Sequence, residues 1–246
     1  MIALKRITHH TLRDETYEWA EIGNLFSPED ATSLTATFPR DHFKTVTGDD
    51  GEKDYEYEAR ALIAMGAHTI SHHEELSPSW LALAHDLLSP AYRAAMSSLT
   101  GHDLTAVPVE VNAFHYGPGA CLGPHLDLPD KLVTHVLYFN PSWNQEDGGC
   151  LTLLRSGDST DVAASVAPLV GNSAVLVRSE KSWHAVSRVV SGCRESRRSM
   201  TVTFYRPGSV STMWPPGDMA TLHRYEAMDE GRKSRRSLKW WARWRG

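Results

Sequence analysis

Cysteine is scarce. Cys121, Cys150 and Cys193 are the only three, they lie far apart, and no CxxC occurs. An odd, scattered set argues against a disulfide framework or a structural zinc site and fits a reducing cytosol. Long apolar runs are also missing: nothing approaches the roughly 20 residues that a spanning helix needs. The charged segment from Met1 to Asp14 lacks the apolar stretch of a secretory signal. A cytoplasmic location and no membrane partner are therefore expected. No repeat or low-complexity block stands out. Net positive charge is absent, since 25 Lys and Arg against 30 Asp and Glu give −5, which removes any overall attraction to nucleic acid. The exception is the stretch 231–246, where Arg232, Lys233, Arg235, Arg236, Lys239, Arg243 and Arg245 occur with no acid.

What is present is an ordinary globular composition, with 246 residues, 41% hydrophobic and 22% charged, enough for one large domain. The first hundred residues read as helix-rich. Ser27-Pro28, Ser77-Pro78 and Ser89-Pro90 each place a capping hydroxyl before a proline at the first helical turn. Apolar residues at helical spacing follow each one, and Gly101 is a natural end cap. Residues 41–57, with Gly48, Asp49, Asp50 and Gly51 together, read as a mobile loop. From Val107 the texture changes to short β-branched and aromatic runs between Gly, Pro and Asn, at 107–116, 132–139, 151–155, 162–167, 173–178, 184–190 and 200–205. Seven such runs predict a sandwich or barrel-like β fold. The domain is expected to divide into a helix-rich support (1–106), a β core (107–208) and a C-terminal extension (209–246). Within the extension, 238–244 could form a short basic, Trp-rich helix.

One short segment carries chemistry. In Gly123-Pro124-His125-Leu126-Asp127 the imidazole and the carboxylate are two residues apart. On an extended strand such residues share a face and can reach one ion. A non-haem iron triad needs a second imidazole, and His184, at the head of a β-branched run, is the natural candidate. Three ligands of this kind occupy one face of an octahedron and leave three positions open. A lone His-x-Asp is weak evidence. The pairs His9-His10, His72-His73, His85-Asp86 and His102-Asp103 are polar clusters that mimic ligands but read as solvated or capping groups. His115 and His135 fall inside strand runs and read as core or supporting residues.

Taken in order, further pieces frame that segment. They are Tyr116-Gly117-Pro118-Gly119, the run Val133 to Asn140 with Trp143 after it, Asp147-Gly148-Gly149-Cys150-Leu151, Trp183-His184-Ala185-Val186, and Arg197-Arg198-Ser199 leading into Met200 to Tyr205. This set resembles the iron(II)/2-oxoglutarate-dependent dioxygenase superfamily, in its prolyl 4-hydroxylase-like branch. The likeness covers about a hundred residues, only loosely the N-terminal hundred, and none of the last forty. It implies a mainly β protein with a helical N-terminal support and a double-stranded β-helix (jelly-roll, cupin-like) core. It implies Fe(2+), 2-oxoglutarate as co-substrate and O2, with His125, Asp127 and His184 as catalytic metal ligands. It also implies an arginine for the distal carboxylate of 2-oxoglutarate. Arg194 has the commoner spacing from His184, whereas Arg197 has the register of the closing strand, which favours Arg197. Tyr116 and Tyr138 resemble positions that hydrogen-bond 2-oxoglutarate, and each also suits a core aromatic. A carboxylate at 127 favours hydroxylation, desaturation or ring closure over halogenation.

The implied reaction hydroxylates an unactivated C–H bond of a small molecule, such as an amino acid, peptide or natural-product intermediate, with release of succinate and CO2. The alternative is a peptidyl, prolyl-type hydroxylase acting on a protein partner. A metal-binding cupin-like protein without oxygenase activity is a third reading, disfavoured by the double Arg-x-Ser and Tyr116. The tail's cations interleave with Trp240, Trp241 and Trp244, which suits nucleic acid. Docked core aromatics account for the tryptophans more simply, and the Arg-x-Asn-x-Thr-x-Arg run of nucleic-acid demethylases is absent. A homodimer is left open.

Overall fold

The computed structural model describes residues 1–49 and 54–225. The basic stretch 231–246 and the expected helix at 238–244 lie outside the described residues. Among the described residues there are four α-helices: α1 Leu4–Thr8, α2 Pro28–Ala36, α3 Pro78–Leu88 and α4 Pro90–Thr100. The three Ser-Pro starts all cap helices. The hydroxyl of Ser27 accepts the Asp30 amide at 3.1 Å, Ser77 that of Trp80 at 3.3 Å, and Ser89 that of Tyr92 at 3.1 Å. Gly101 closes α4 in the left-handed conformation at φ 70°, a backbone state that costs glycine little. None of these helices is long and apolar enough to cross a membrane.

Eleven strands among the described residues form one antiparallel sheet: β1 Trp19–Ile22, β2 Lys44–Asp49, β3 Asp54–Ile63, β4 Val109–Tyr116, β5 Cys121–His125, β6 Lys131–Tyr138, β7 Leu151–Leu154, β8 Val162–Val166, β9 Ser173–Val177, β10 His184–Val186 and β11 Arg197–Tyr205. Their order is β1-β9-β6-β11-β4-β3-β5-β10-β7-β8, with β2 added on β3. Strand β3 pairs with β4 through most of its length and with β5 at its start. It therefore joins a larger face to a smaller one, and the sheet curls into a double-stranded β-helix.

Two features differ from the sequence expectation. The stretch 41–57 holds β2 and the first half of β3, where a loop was expected, and the helix-rich support also supplies β1. The Gly and Asp content of 48–51 masks the flanking alternation, and edge pairing with the core overrides weak local propensity. Strand β5 is not among the seven runs because its Gly123-Pro124 reads as a turn. Proline is tolerated there, at the end of the strand.

Strands β4, β6 and β11 are covered on both faces. Val109, Val111, Ala113, Val133, Leu137, Met200, Val202 and Phe204 pack with Leu34, Trp80, Leu83, Leu87, Tyr92 and Met96 of the helices in one core. The alternate positions, Glu110, Asn112, Phe114, Tyr116, Thr134, Val136, Arg197, Ser199, Thr201, Thr203 and Tyr205, line a cavity inside the barrel. Trp80 anchors the helical layer. It is fully buried, packs against Phe38 and Phe139, and donates its indole N–H to Leu34 O at 3.0 Å.

Two predictions follow from this core. Trp80→Ala is expected to cost about 3–5 kcal/mol, read as a lower urea midpoint. The second concerns acid. Burial, with Arg198 nearby for His115, lowers the pKa values of His115 and His135 to about 3. Unfolded, each takes a proton near pH 6.5. Between about 6.5 and 3 the unfolded chain thus binds protons that the native protein refuses, so stability falls as pH falls through that window. Urea midpoints at pH 7 and 5 measure this, and a midpoint that does not drop contradicts it.

Candidate metal centre

Strands β5 and β10 are paired so that His125 lies opposite His184. Their ring centroids are 4.3 Å apart and tilted by 55°. Asp127 follows β5 by two residues and returns its carboxylate to the same side. One ligand atom from each of the three lies within 4.8 Å of the other two, and they are the one such cluster among the described residues. The other histidine pairs singled out in the sequence do not converge in this way.

Local bonds orient each donor. Nδ1 of His125 lies 2.9 Å from Gly123 O, and Nδ1 of His184 lies 2.9 Å from Ser182 O. A carbonyl only accepts, so both Nδ1 atoms carry the proton and both Nε2 lone pairs are left for a ligand. Burial, reinforced by His184, lowers the pKa of His125 to about 3 and keeps the ring neutral. Burial alone would raise the pKa of Asp127, but Lys131 and the two imidazoles outweigh it and hold the carboxyl below the ordinary range. Lys131 Nζ donates to Asp127 Oδ1 at 2.5 Å and Thr134 Oγ1 to Oδ2 at 2.9 Å. Neither partner was singled out in the sequence. The available signals were a lysine four residues after Asp127 and a threonine on the polar parity of β6.

Arg197, the first residue of β11, is 2% exposed and lines the same cavity. Its guanidinium lies over the rings of Tyr116 (4.8 Å) and Tyr138 (5.4 Å), and Nη1 donates to Ser199 Oγ at 2.6 Å. Its Nε and the Tyr138 hydroxyl are buried with no hydrogen-bond partner. No carboxylate among the described residues lies within 4 Å of it. A buried arginine with a vacant donor beside a metal-type triad fits an incoming carboxylate. Arg194 is exposed and lines a separate cavity with Glu56, His115 and Tyr225. Gly149 makes room for this arrangement: a Cβ there would sit 2.9 Å from Trp143 and 3.5 Å from the Arg197 Cβ.

The matched chemistry agrees with the geometry. Residues 111–206 match the family described as the 2OG-Fe(II) oxygenase superfamily. Over those residues the β core is similar to that superfamily. Oxygenases of this kind use iron(II), 2-oxoglutarate and O2, and two neutral imidazoles with one carboxylate are the donor set that such an iron requires. No curated protein matches the sequence. Among solved structures, a Pseudomonas putida prolyl-4-hydroxylase is 21% identical, with a TM-score of 0.55 over 81% of this chain and 98% of its own. A Trichoplax adhaerens prolyl hydroxylase in complex with a hypoxia-inducible-factor peptide fragment is 15% identical, at 0.52 over 82% and 88%. The epimerase SnoN of nogalamycin biosynthesis is 15% identical, at 0.51 over 93% and 96%. At these identities the likeness is one of fold.

Titration with Mn(II), a redox-inert stand-in, tests the oxygenase centre. Wild type is expected to bind one equivalent. His184→Ala should weaken binding by more than the roughly 10–100-fold that loss of an orienting partner costs.

Proposed function

We propose that the protein is an iron(II)- and 2-oxoglutarate-dependent hydroxylase of a small molecule, an amino acid, peptide or natural-product intermediate. His125, Asp127 and His184 hold the iron through two Nε2 atoms and a carboxylate oxygen. Arg197 grips the distal carboxylate of 2-oxoglutarate with its vacant Nε, and Tyr116 and Tyr138 form the walls around it. When bound, iron and co-substrate supply the oxidising power, with release of succinate and CO2. The chain's own residues orient the ligands, shield the site from water and keep His125 unprotonated.

The observation that carries the small-molecule reading is the shape of the cavity. It measures about 260 Å³, and Thr212, Met213, Tyr55 and Tyr57 are part of its wall. That is slightly below the range of about 300–1,000 Å³ for small-ligand pockets, so only a small substrate fits. A protein substrate needs an open groove. The prolyl-type alternative draws on the names of the Pseudomonas and Trichoplax neighbours and remains the second reading. Three buried cysteines, none in a disulfide, suit the reducing cytoplasm.

Succinate release, scanned over small metabolites beside prolyl peptides, separates the two readings; turnover of peptides alone would reject the first. Asp127→Ala is expected to abolish coupled succinate formation. Under anaerobic conditions the weak metal-to-ligand visible band should appear in wild type on adding iron(II) and 2-oxoglutarate. Arg197→Gln should need roughly 10- to 100-fold more 2-oxoglutarate to reach it.

A further inference from the structure

Among the residues lining the cavity, one carboxylate has no part in holding metal or co-substrate. Glu110 lies on β4, is 2% exposed, and faces the cavity. Its Oε1 accepts from the Ser211 hydroxyl at 2.5 Å and its Oε2 from the Tyr205 hydroxyl at 3.3 Å. Both donors are neutral. Among the described residues no lysine, arginine or histidine lies within 4 Å of it. Lys131, a second cation in the cavity wall, is engaged with Asp127. A carboxylate buried without a counter-ion is costly and weakens the fold unless a cation arrives to offset it.

Strand register fixes where that cation would sit. Thr203 of β11 is opposite Glu110 on one side and Thr134 on the other. Thr134 is the residue whose hydroxyl holds Asp127. Glu110 is therefore two strands across from the metal-type cluster's own support, about 10 Å away. Arg197 lies six residues back along β11, about 20 Å away at the spacing of an extended strand. The cavity wall thus holds an unpaired cation, Arg197, and an unpaired anion, Glu110, well apart along β11, with Glu110 two strands from the residue that holds Asp127.

We infer that Glu110 is the specificity-determining residue of this site and that the substrate carries a cationic group, a primary ammonium or guanidinium, which pairs with its carboxylate. This rests on the small-molecule reading above. A cation fixed at Glu110 holds the carbons next to it beside the cluster, while Arg197 keeps the dianionic co-substrate at the far end. Opposite charges at the two ends prevent each molecule from taking the other's place.

Matched pairs of probes test this: L-arginine with L-citrulline, L-lysine with L-norleucine, and n-butylammonium with n-butanol. Each is titrated calorimetrically into Mn(II)- and 2-oxoglutarate-loaded protein without oxygen, then assayed for succinate release with iron(II). In at least one pair, wild type is expected to bind the cationic member at least about tenfold tighter than the neutral one. Glu110→Gln, which keeps the shape and can still meet Ser211 and Tyr205, should abolish that difference while leaving Mn(II) and 2-oxoglutarate affinity unchanged. The wild-type comparison stands even if the variant folds poorly. Equal affinity within every pair, no binding of any cationic probe at millimolar concentration, or a preference that survives Glu110→Gln overturns the inference. If neutral small molecules drive succinate release without any cation preference, the inference falls and the small-molecule hydroxylase stands. If only prolyl peptides do so, both fall together.

Discussion

Alternation along a strand is the constraint on which this molecule depends. Strands β4, β6 and β11 are pressed between a helical layer and a hollow, so every second side chain must satisfy a different solvent. Val109, Val111 and Ala113 face the helices, and Glu110, Asn112 and Phe114 face the hollow. The same division runs through Met200, Val202 and Phe204 against Ser199, Thr201 and Thr203. A slip of one residue in any of these strands would put threonines and a glutamate against Trp80 and valines against the His125, Asp127 and His184 cluster. The apolar core thus fixes the register, and the register in turn places the polar groups.

The supporting residues around Arg197 show how tightly that placement is held. Asn140, fully buried, accepts the Arg198 amide at 2.8 Å and donates to Ser196 O at 2.7 Å, so it pins the start of β11 from both sides. Trp143 donates its indole N–H to Gly148 O at 2.7 Å and packs over the glycine pair. At Gly148, φ is 69° and a Cβ would come within 2.0 Å of Arg188 O, so the turn closes there only with glycine. These bonds and close contacts support the backbone that carries the Arg197 guanidinium and its vacant donor.

Much of this was legible in the sequence, for identifiable reasons. The Ser-Pro caps are local chemistry, and three of them gave three helices at the expected residues. The β texture after Val107 is a composition signal that short strands cannot hide. His125 and Asp127 were visible because two-residue spacing has a definite geometric meaning. Bringing His184 opposite His125 needed tertiary pairing, which only the ordered motifs suggested. Strand β5 was hidden by Gly123-Pro124, and the β2–β3 pair by glycines and aspartates between its halves. Lys131, Thr134 and Glu110 escaped notice because single polar residues on strands carry no spacing pattern. Their meaning lies in which face they share, and that is a property of the folded sheet.

The stretch after β11 supplies Thr212 and Met213 to the cavity wall. It runs back across the barrel mouth and is tied down from without and within. Lys44 of β2 holds Met213 O and Asp218, both at 2.5 Å, and lies over the Trp214 ring. From inside, the Trp214 indole donates to Asn112 at 2.8 Å and Ser211 to Glu110. Yet all of these C-terminal residues fall beyond the segment shared with the superfamily, which ends at 206. One wall of the cavity, Thr212 and Met213, therefore comes from outside that segment. Substitutions at Thr212 and Met213 would thus reshape that wall while leaving the His125, Asp127 and His184 cluster as it is.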